Sequence, residues 1–504
     1  MGIIVPLVLI SLAFALALAF LSWNYEYWKK RGVNGPRPVL IFGNFPITGR
    51  GEAHMIYELD KYYQDFKAKE KFIGVFWARI PQLVLIDPKL IKDVLITNFK
   101  AFHDNDSSQY PIKGVDQMAV ANPFMIAGDI WKEKRAEVVS GLTSARLKLA
   151  YPIMKNAAEK LTSYLKANLS ETSELEARNF SQKFTGEITG DFLWGVEAGA
   201  FKNINEDCPI VASAKKMMKQ SFRCATFSGR TAIVPLLRFF KSERFFPADT
   251  DNFFLNIQKD AMELRLKNPN NRADMLQHLM QVQDKKHIST VDVTGHSLTV
   301  VLDGFESSGI VLSQTLLFLS RNIEAQRKLR QEINDHLDES GHLSFEDLND
   351  LPYLDQCVNE SLRILPPVPI IGKICTEPFQ FENSNGNKVK VEKGVLSIIP
   401  IYSLLHDADV FPNPESFIPE RFDEENGGVK KFKEMGYFMP FGDGPRICLG
   451  MKLALVEIKT GVAEIVKNFE FTTSDKTRSG NEARDDTAYL LSYKGDIFLN
   501  MKAI

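Results

Sequence analysis

The sequence is poor in features that would staple or bias a fold. Its five cysteines, Cys208, Cys224, Cys357, Cys375 and Cys448, are odd in number and widely spaced. That excludes the dense disulfide framework of small secreted domains. No CxxC pair and no Cys/His cluster suggests a zinc site. Charge bias is also missing: 61 Lys+Arg against 63 Asp+Glu leave a net charge of -2, so nothing points to a nucleic-acid partner. No internal repeat and no long Gly/Ser or Pro linker divides the 504 residues. The glycines of 441–450 are not followed by the Lys-Ser/Thr that a phosphate loop needs.

One long uncharged run is present. Ile3 through Trp23 contains no Asp, Glu, Lys or Arg, and as a helix it spans about 30 Å, the thickness of a bilayer core. Lys29, Lys30 and Arg31 follow it and nothing basic precedes it. The basic flank therefore predicts a cytosolic body behind an N-terminal transmembrane helix. A cleaved signal peptide ending at Ala17-Leu18-Ala19 is the rival; the missing basic start and the long apolar run weigh against it. In a cytosolic body the sequons at Asn105, Asn168, Asn179 and Asn359 stay unmodified. Gly35-Pro36-Arg37-Pro38 favours a stiff extended segment. The expected division is an anchor at 1–23, a basic, proline-containing linker at 24–40 and one large domain at 41–504.

Short strands are expected at Ile73–Trp77 and Leu83–Ile86, with a turn at Ile80-Pro81. Asp87-Pro88 predicts a helix start, Asp as cap and Pro in the first turn. From about 130 to 365 apolar residues recur at three- and four-residue spacings, most clearly over Val291–Ile323 and around Leu354, Val358, Leu362 and Leu365. Strands return near Val389–Val391 and Val395–Ile399. A loop-rich stretch runs from His406 to Gly444, and a last helix carries Leu455, Ile458, Val462 and Ile465. The class is mainly α with small β-sheets.

The strongest local signal is Phe441-Gly442-Asp443-Gly444-Pro445-Arg446-Ile447-Cys448-Leu449-Gly450. Three glycines and a proline prescribe one backbone path. The cysteine sits where this loop meets the last helix, and a helix N-terminus favours a thiolate. A plain buried cysteine after a Gly-rich turn is the bland alternative; the ten-residue pattern is far more specific than a lone Cys. The loop resembles the haem-binding signature of the cytochrome P-450 superfamily, with Phe441, Gly444, Arg446, Cys448 and Gly450 in the matching places, and the likeness extends over nearly the whole chain.

That resemblance implies a cytochrome P-450 fold, haem b as cofactor, and Cys448 as the axial ligand of its iron. Phe441, Arg446 and Gly450 would help bind the cofactor. Trp131 and Arg135, at i and i+4 of Trp131-Lys132-Glu133-Lys134-Arg135, are both donors suited to a carboxylate; family members use such residues on a haem propionate. Glu360-Ser361-Leu362-Arg363 puts an acid and a base on one helix face. In the family this pair interlocks with the Arg of a later motif, here Pro419-Glu420-Arg421-Phe422, so Glu360, Arg363 and Arg421 take a structural role. Glu324 and Arg327 share the spacing, but a solvated helix face suffices for them.

Asp303-Gly304-Phe305-Glu306-Ser307-Ser308 lies inside the long apolar pattern. Family members deliver protons with an acid and an alcohol at such a place, which assigns Glu306 and Ser307 as catalytic. The chain departs from the family pattern here: Asp303 stands where a small residue is common and Ser307 where Thr is common. Ile370 occupies the neighbourhood of a frequent propionate-binding Arg, and Phe102-His103 lacks another.

The implied activity is insertion of one oxygen atom of O2 into small lipophilic substrates. NADPH would be used indirectly, through NADPH–cytochrome P-450 reductase, with cytochrome b5 as a further donor. Lys132, Lys134, Arg135, Lys430, Lys431, Lys433 and Lys452 are candidates for a basic surface that steers an acidic donor protein. Within the superfamily the chain is most similar to insect microsomal enzymes that clear foreign compounds such as insecticides and plant toxins; hormone or steroid hydroxylation is the second option. The implied address is the endoplasmic reticulum membrane. Ile233–Phe240 and Phe245-Phe246-Pro247 suggest an interfacial segment beside a substrate entrance, and Phe124, Phe305 and Glu306 a pocket floor. Two readings of another kind are a haem-thiolate isomerase or dehydratase needing no external electrons, and a non-catalytic haem-binding protein.

Overall fold

A computed structural model describes residues 4–112, 114–203, 206–233, 244–270, 272–480 and 490–504. The chain divides into two compact units, one of 1–107, 223–243 and 370–404, the other of 108–222, 244–369 and 405–504.

The first unit carries the N-terminal helix Ile4–Ser22, 19 residues long and with no buried residue. It is the one helix among the described residues long and apolar enough to cross a membrane. A five-stranded sheet follows in the order Phe72–Trp77, Ile80–Leu85, Leu396–Ile399, Ile371–Ile374, Asp104–Asn105. Only the Ile80–Leu85 to Leu396–Ile399 pair is parallel. The first hairpin corrects the expected turn. Trp77 pairs with Ile80 and Phe76 with Pro81, so the chain reverses at Ala78-Arg79, Ala78 taking φ 52°. Pro81 keeps its place because it lies near the start of its strand. Trp28 docks on this sheet, its indole N–H donating to Val75 O at 3.0 Å. Gly74 makes that possible: a Cβ there would lie 2.3 Å from Trp28 Cγ. Asp87 caps its helix as expected, accepting from Lys89 N at 2.8 Å, with Pro88 in the first turn. Phe379–Glu382 and Lys388–Val391 form a separate antiparallel pair.

The second unit is helical around one long element. Thr290–Val300, Val301–Phe305 and Glu306–Arg321 follow without interruption, the middle piece wound as a π-turn. Ser289 and Asp292 close a capping box at its start. The helices Ala177–Trp194 and Met451–Asn468 pack against this element, and glycines set how closely. A Cβ at Gly461 would fall 2.8 Å from Leu312 Cδ2, and one at Gly309 3.3 Å from Gln182 Cγ. Val311, Leu312, Leu316, Val462, Ile465 and Val466 form the core between them, each worth about 1.5–3 kcal/mol of burial. Helix Pro352–Ile364 has no capping side chain of its own. Glu332 substitutes, accepting from Tyr353 N at 2.7 Å and Leu354 N at 2.9 Å. A three-stranded antiparallel sheet, Glu174–Glu176, Phe498–Ala503 and Phe469–Thr473, completes the unit. The molecule is therefore mainly helical with small sheets. Residues 234–240 of the expected interfacial segment lie outside the described residues. Phe245 and Phe246 are buried, their rings tilted against one another with centres 5.0 Å apart, and belong to the core of their unit.

Candidate active site

The cysteine loop folds as its glycines require. Gly442 and Gly444 take φ of 74° and 70°, a region that costs other residues. Asp443 accepts from Gly444 N at 2.7 Å, Ile447 N donates to Gly444 O at 3.0 Å, and Cys448 N donates to Phe441 O at 2.9 Å. Phe441, through this carbonyl, closes the loop on the cysteine. Gly450 caps the last helix, Met451–Asn468, and a Cβ on it would find no atom within 4 Å.

The backbone N–H groups of Gly450 and Met451 point at Cys448 Sγ, and the Arg135 charge favours its ionised form. The expected helix-end stabilisation is thus present, but it is outweighed. Burial, reinforced by Asp303, pushes the thiol up to about 11. A metal cation bound at this sulfur would favour the thiolate.

Asp303 faces that sulfur from the π-turn. Burial pushes its carboxyl up to about 7, and its charge is felt at Cys448. Asp303, Gly304, Glu306 and Ser307 are each half-buried, while Val301, Leu302, Phe305 and Ser308 are buried. The turn therefore has an inner face that is open and another that is packed. At Gly304 an added Cβ would meet only Val300 Cγ1, at 3.8 Å. Ser307 Oγ donates to Asp303 O at 2.5 Å, a bond that turns the hydroxyl back along its own helix. Phe305, expected on the pocket floor, instead reaches helix Ala177–Trp194, its Cε2 being 3.4 Å from where a Gly186 Cβ would stand. Phe124 is half-buried.

Three donors gather beside the loop. Arg446 donates to Pro123 O at 3.0 Å and Ile126 O at 2.9 Å, and its guanidinium lies 4.1 Å from the Trp131 ring centre. Arg135 donates to Ile447 O at 2.5 Å, and burial lowers its own pKa. Trp131 is buried. The sequence placed Trp131 and Arg135 on one helix; the fold adds Arg446 to them.

Glu360, Arg363 and Arg421 also meet. Arg363 grips Glu360 through two N–H groups at 2.7 and 2.9 Å, and Arg421 Nε donates to Glu360 Oε1 at 3.2 Å. Glu360 also accepts from Ile418 N at 3.0 Å. Arg363 reaches Leu405 O at 3.1 Å and Pro414 O at 2.6 Å, and Arg421 reaches Asn413 O at 2.9 Å. The trio ties helix Pro352–Ile364 to the long loop leading to Cys448. Glu324 and Arg327 pair at 2.6 Å on an exposed face.

Two buried groups escaped the sequence reading. Glu137, on the helix of Trp131 and Arg135, accepts from His296 Nε2 at 2.7 Å in the long helix and pairs with Lys286 at 3.0 Å. Burial works against its ionisation, but those hydrogen bonds and Lys134 hold its carboxyl at about 2. Lys134, expected on a surface patch, is drawn into this cluster at 3.3 Å from Glu137 and 3.7 Å from Asp292. Arg135, turned onto Ile447 O, leaves the patch likewise. Glu457, on the last helix, is pushed up to about 8 by burial, an effect that Ser308 nearby only partly offsets. Neither pairing has a local sequence signal, because each joins residues more than a hundred positions apart.

A lone deep sulfur ringed by helix-start N–H groups, two guanidiniums and an indole alongside, and open space at Gly304 and Gly450 suit a flat anionic metallocycle whose iron takes a thiolate. Those are the features of a haem-thiolate protein. The chain belongs to the cytochrome P450 family: the family model "Cytochrome P450" matches residues 33–497. It is 38% identical over 509 residues to "Probable cytochrome P450 28a5" of Drosophila melanogaster, covering 100% of both chains. It is 37% identical to "Probable cytochrome P450 309a1" of the same fly, covering 95% of each. With "Cytochrome P450 6A1" of Musca domestica it shares 28% identity over 97% of this chain and 96% of the other. The protein is accordingly a haem-containing mono-oxygenase, an oxidoreductase.

Proposed function

We propose that this chain is a membrane-anchored mono-oxygenase that adds one oxygen atom of O2 to small lipophilic compounds, foreign ones such as insecticides and plant toxins among them. Electrons come from NADPH through a cytochrome P450 reductase, with cytochrome b5 as an additional donor. The observation that carries the reading is the glycine loop that holds Cys448 at the start of the last helix, with Trp131, Arg135 and Arg446 beside it and Asp303 of the π-turn close enough for its charge to act on the sulfur.

Cys448 would hold the iron of haem b, and Trp131, Arg135 and Arg446 would hold its propionates. Bound there, haem supplies the activation of O2. The chain's own part is positioning and protons. The glycine loop fixes the sulfur. Glu360, Arg363 and Arg421 keep the stretch leading to that loop in place. Glu306 and the Ser307 hydroxyl, both half-buried just after the π-turn, would supply the protons. Helix Ile4–Ser22 anchors the chain in the endoplasmic reticulum membrane with its body in the cytosol.

The test is a reduced carbon monoxide difference spectrum of wild type and Cys448→Ser, followed by NADPH- and reductase-dependent oxidation of a panel of lipophilic compounds. Wild type is expected to give the thiolate-type band and turnover, and C448S neither. Unchanged spectrum and turnover in C448S would overturn the assignment. Turnover of a peroxide without NADPH would favour isomerase or dehydratase chemistry.

A further inference from the structure

Asp303 has no task in the function just described. Several other buried acids of its unit have cationic or histidine partners: Glu137 with His296 and Lys286, Glu360 with Arg363 and Arg421, Asp274 with Arg265 at 2.6 Å. The Asp303 carboxylate makes no hydrogen bond or ion pair among the described residues, and burial is the sole cause of its shifted ionisation. Among the described residues no cation offsets it. Arg135 and Arg446 are turned onto the carbonyls of Ile447, Pro123 and Ile126. A desolvated carboxylate without a partner is costly, and a ligand that completes it recovers that cost.

Three observations place this carboxylate where a substrate would lie. It is half-buried, as are Gly304 beside it and Glu306 and Ser307 at the start of the following helix. The neighbouring Gly304 leaves open space. Its charge reaches Cys448 across the interior.

We propose that Asp303 is a specificity-determining residue that recognises a cationic nitrogen on an otherwise apolar substrate, so that lipophilic amines are the favoured substrate class. This rests on the mono-oxygenase reading and narrows it. The carboxylate attracts the cation through low-dielectric surroundings, and the apolar remainder of the ligand supplies burial. A neutral molecule of the same shape leaves the acid unpartnered, which is the larger source of discrimination.

The test uses the haem-loaded full-length protein and a matched pair of ligands: a phenylalkyl trimethylammonium and its neutral tert-butyl isostere. The permanent cation neither titrates nor ligates iron. Affinities are read from the optical spin-state shift on titration, which needs no turnover. In wild type the cation is expected to bind at least as tightly as the isostere. Asp303→Asn is expected to weaken the cation at least about tenfold and the isostere less than about threefold. Wild type binding the cation about tenfold more weakly than the isostere would overturn the proposal, as would D303N moving both ligands equally. If D303N fails to load haem, the wild-type pair alone decides. A wild type that gives the carbon monoxide band and oxidises neutral compounds while rejecting the cation sinks the role of Asp303 and leaves the mono-oxygenase reading standing. A wild type without that band sinks both.

Discussion

Glu457 sits on the last helix with its carboxyl enclosed, and burial pushes it up to about 8. Unfolded, it ionises near its ordinary 4.5. Below that pH both states hold the proton and nothing depends on it. As pH rises from there toward 8 the unfolded chain releases the proton and the folded chain does not, so stability declines until both are ionised. Glu457→Gln is therefore expected to leave the melting temperature at pH 5 nearly unchanged and to raise it at pH 8.5, a gap of several degrees in parallel thermal melts. Glu137 behaves oppositely. Its pairing holds it at about 2 against an ordinary 4.5, so its contribution is complete above 4.5 and disappears as pH falls toward 2. Glu137→Gln is expected to flatten the acid side of the stability profile and to lower stability at pH 7. At Ser307 the hydroxyl is the group at stake. Ser307→Ala is expected to cut product formed per NADPH by about tenfold or more, measured as the ratio of product to NADPH consumed; unaltered coupling would remove Ser307 from proton delivery.

At the scale of elements, the helix Pro352–Ile364 and the loop before Cys448 are joined by charges with no access to water. Glu360 and Arg363 are each 0% exposed. Removing Glu360 leaves Arg363 without its counter-ion, a loss of about 3–5 kcal/mol. Glu360→Ala is expected to yield protein with little bound haem, measured as haem per polypeptide. Arg363→Lys should do nearly as badly, since one ammonium cannot replace a guanidinium that bonds Glu360, Leu405 O and Pro414 O together. A second joint links the Trp131 helix to the long helix through Glu137 and His296. One joint ties down the stretch leading to the loop of the sulfur, the other the helix that carries Trp131 and Arg135.

For the whole molecule, the exposed helix Ile4–Ser22 and the basic residues after it carry the proposed membrane address. The full chain is expected to stay in the pellet after alkaline carbonate washing, and a chain lacking residues 1–23 to be released by it. The surface available to an electron donor is smaller than the sequence indicated, because Lys134 and Arg135 are drawn inward. Lys132, Lys430, Lys431, Lys433 and Lys452 remain exposed or nearly so. Reductase-dependent turnover is expected to fall as ionic strength rises, since exposed charges are screened within about 8–10 Å at physiological salt.

What the sequence determined by itself is what depends on neighbours along the chain. The anchor is legible in an uncharged run, the cysteine loop in glycines that alone accept its positive φ, the Asp87 cap in an Asp-Pro step, and the Glu360–Arg363 pair in a helical spacing of three. The turn at Ala78-Arg79 was missed because strand register, fixed by pairing with another strand, overrides the local preference of a proline. Tertiary structure alone decided what depends on burial and on distant partners: Arg446 over Trp131, His296 against Glu137, Lys134 withdrawn from the surface, Phe305 packed away from the open side of its turn. It also decided the state of the thiol. Helix position argues for an ionised sulfur, but desolvation by the surrounding fold and the facing Asp303 outweigh it, and the cost of removing a charge from water depends on everything packed around it rather than on the residues beside it in sequence.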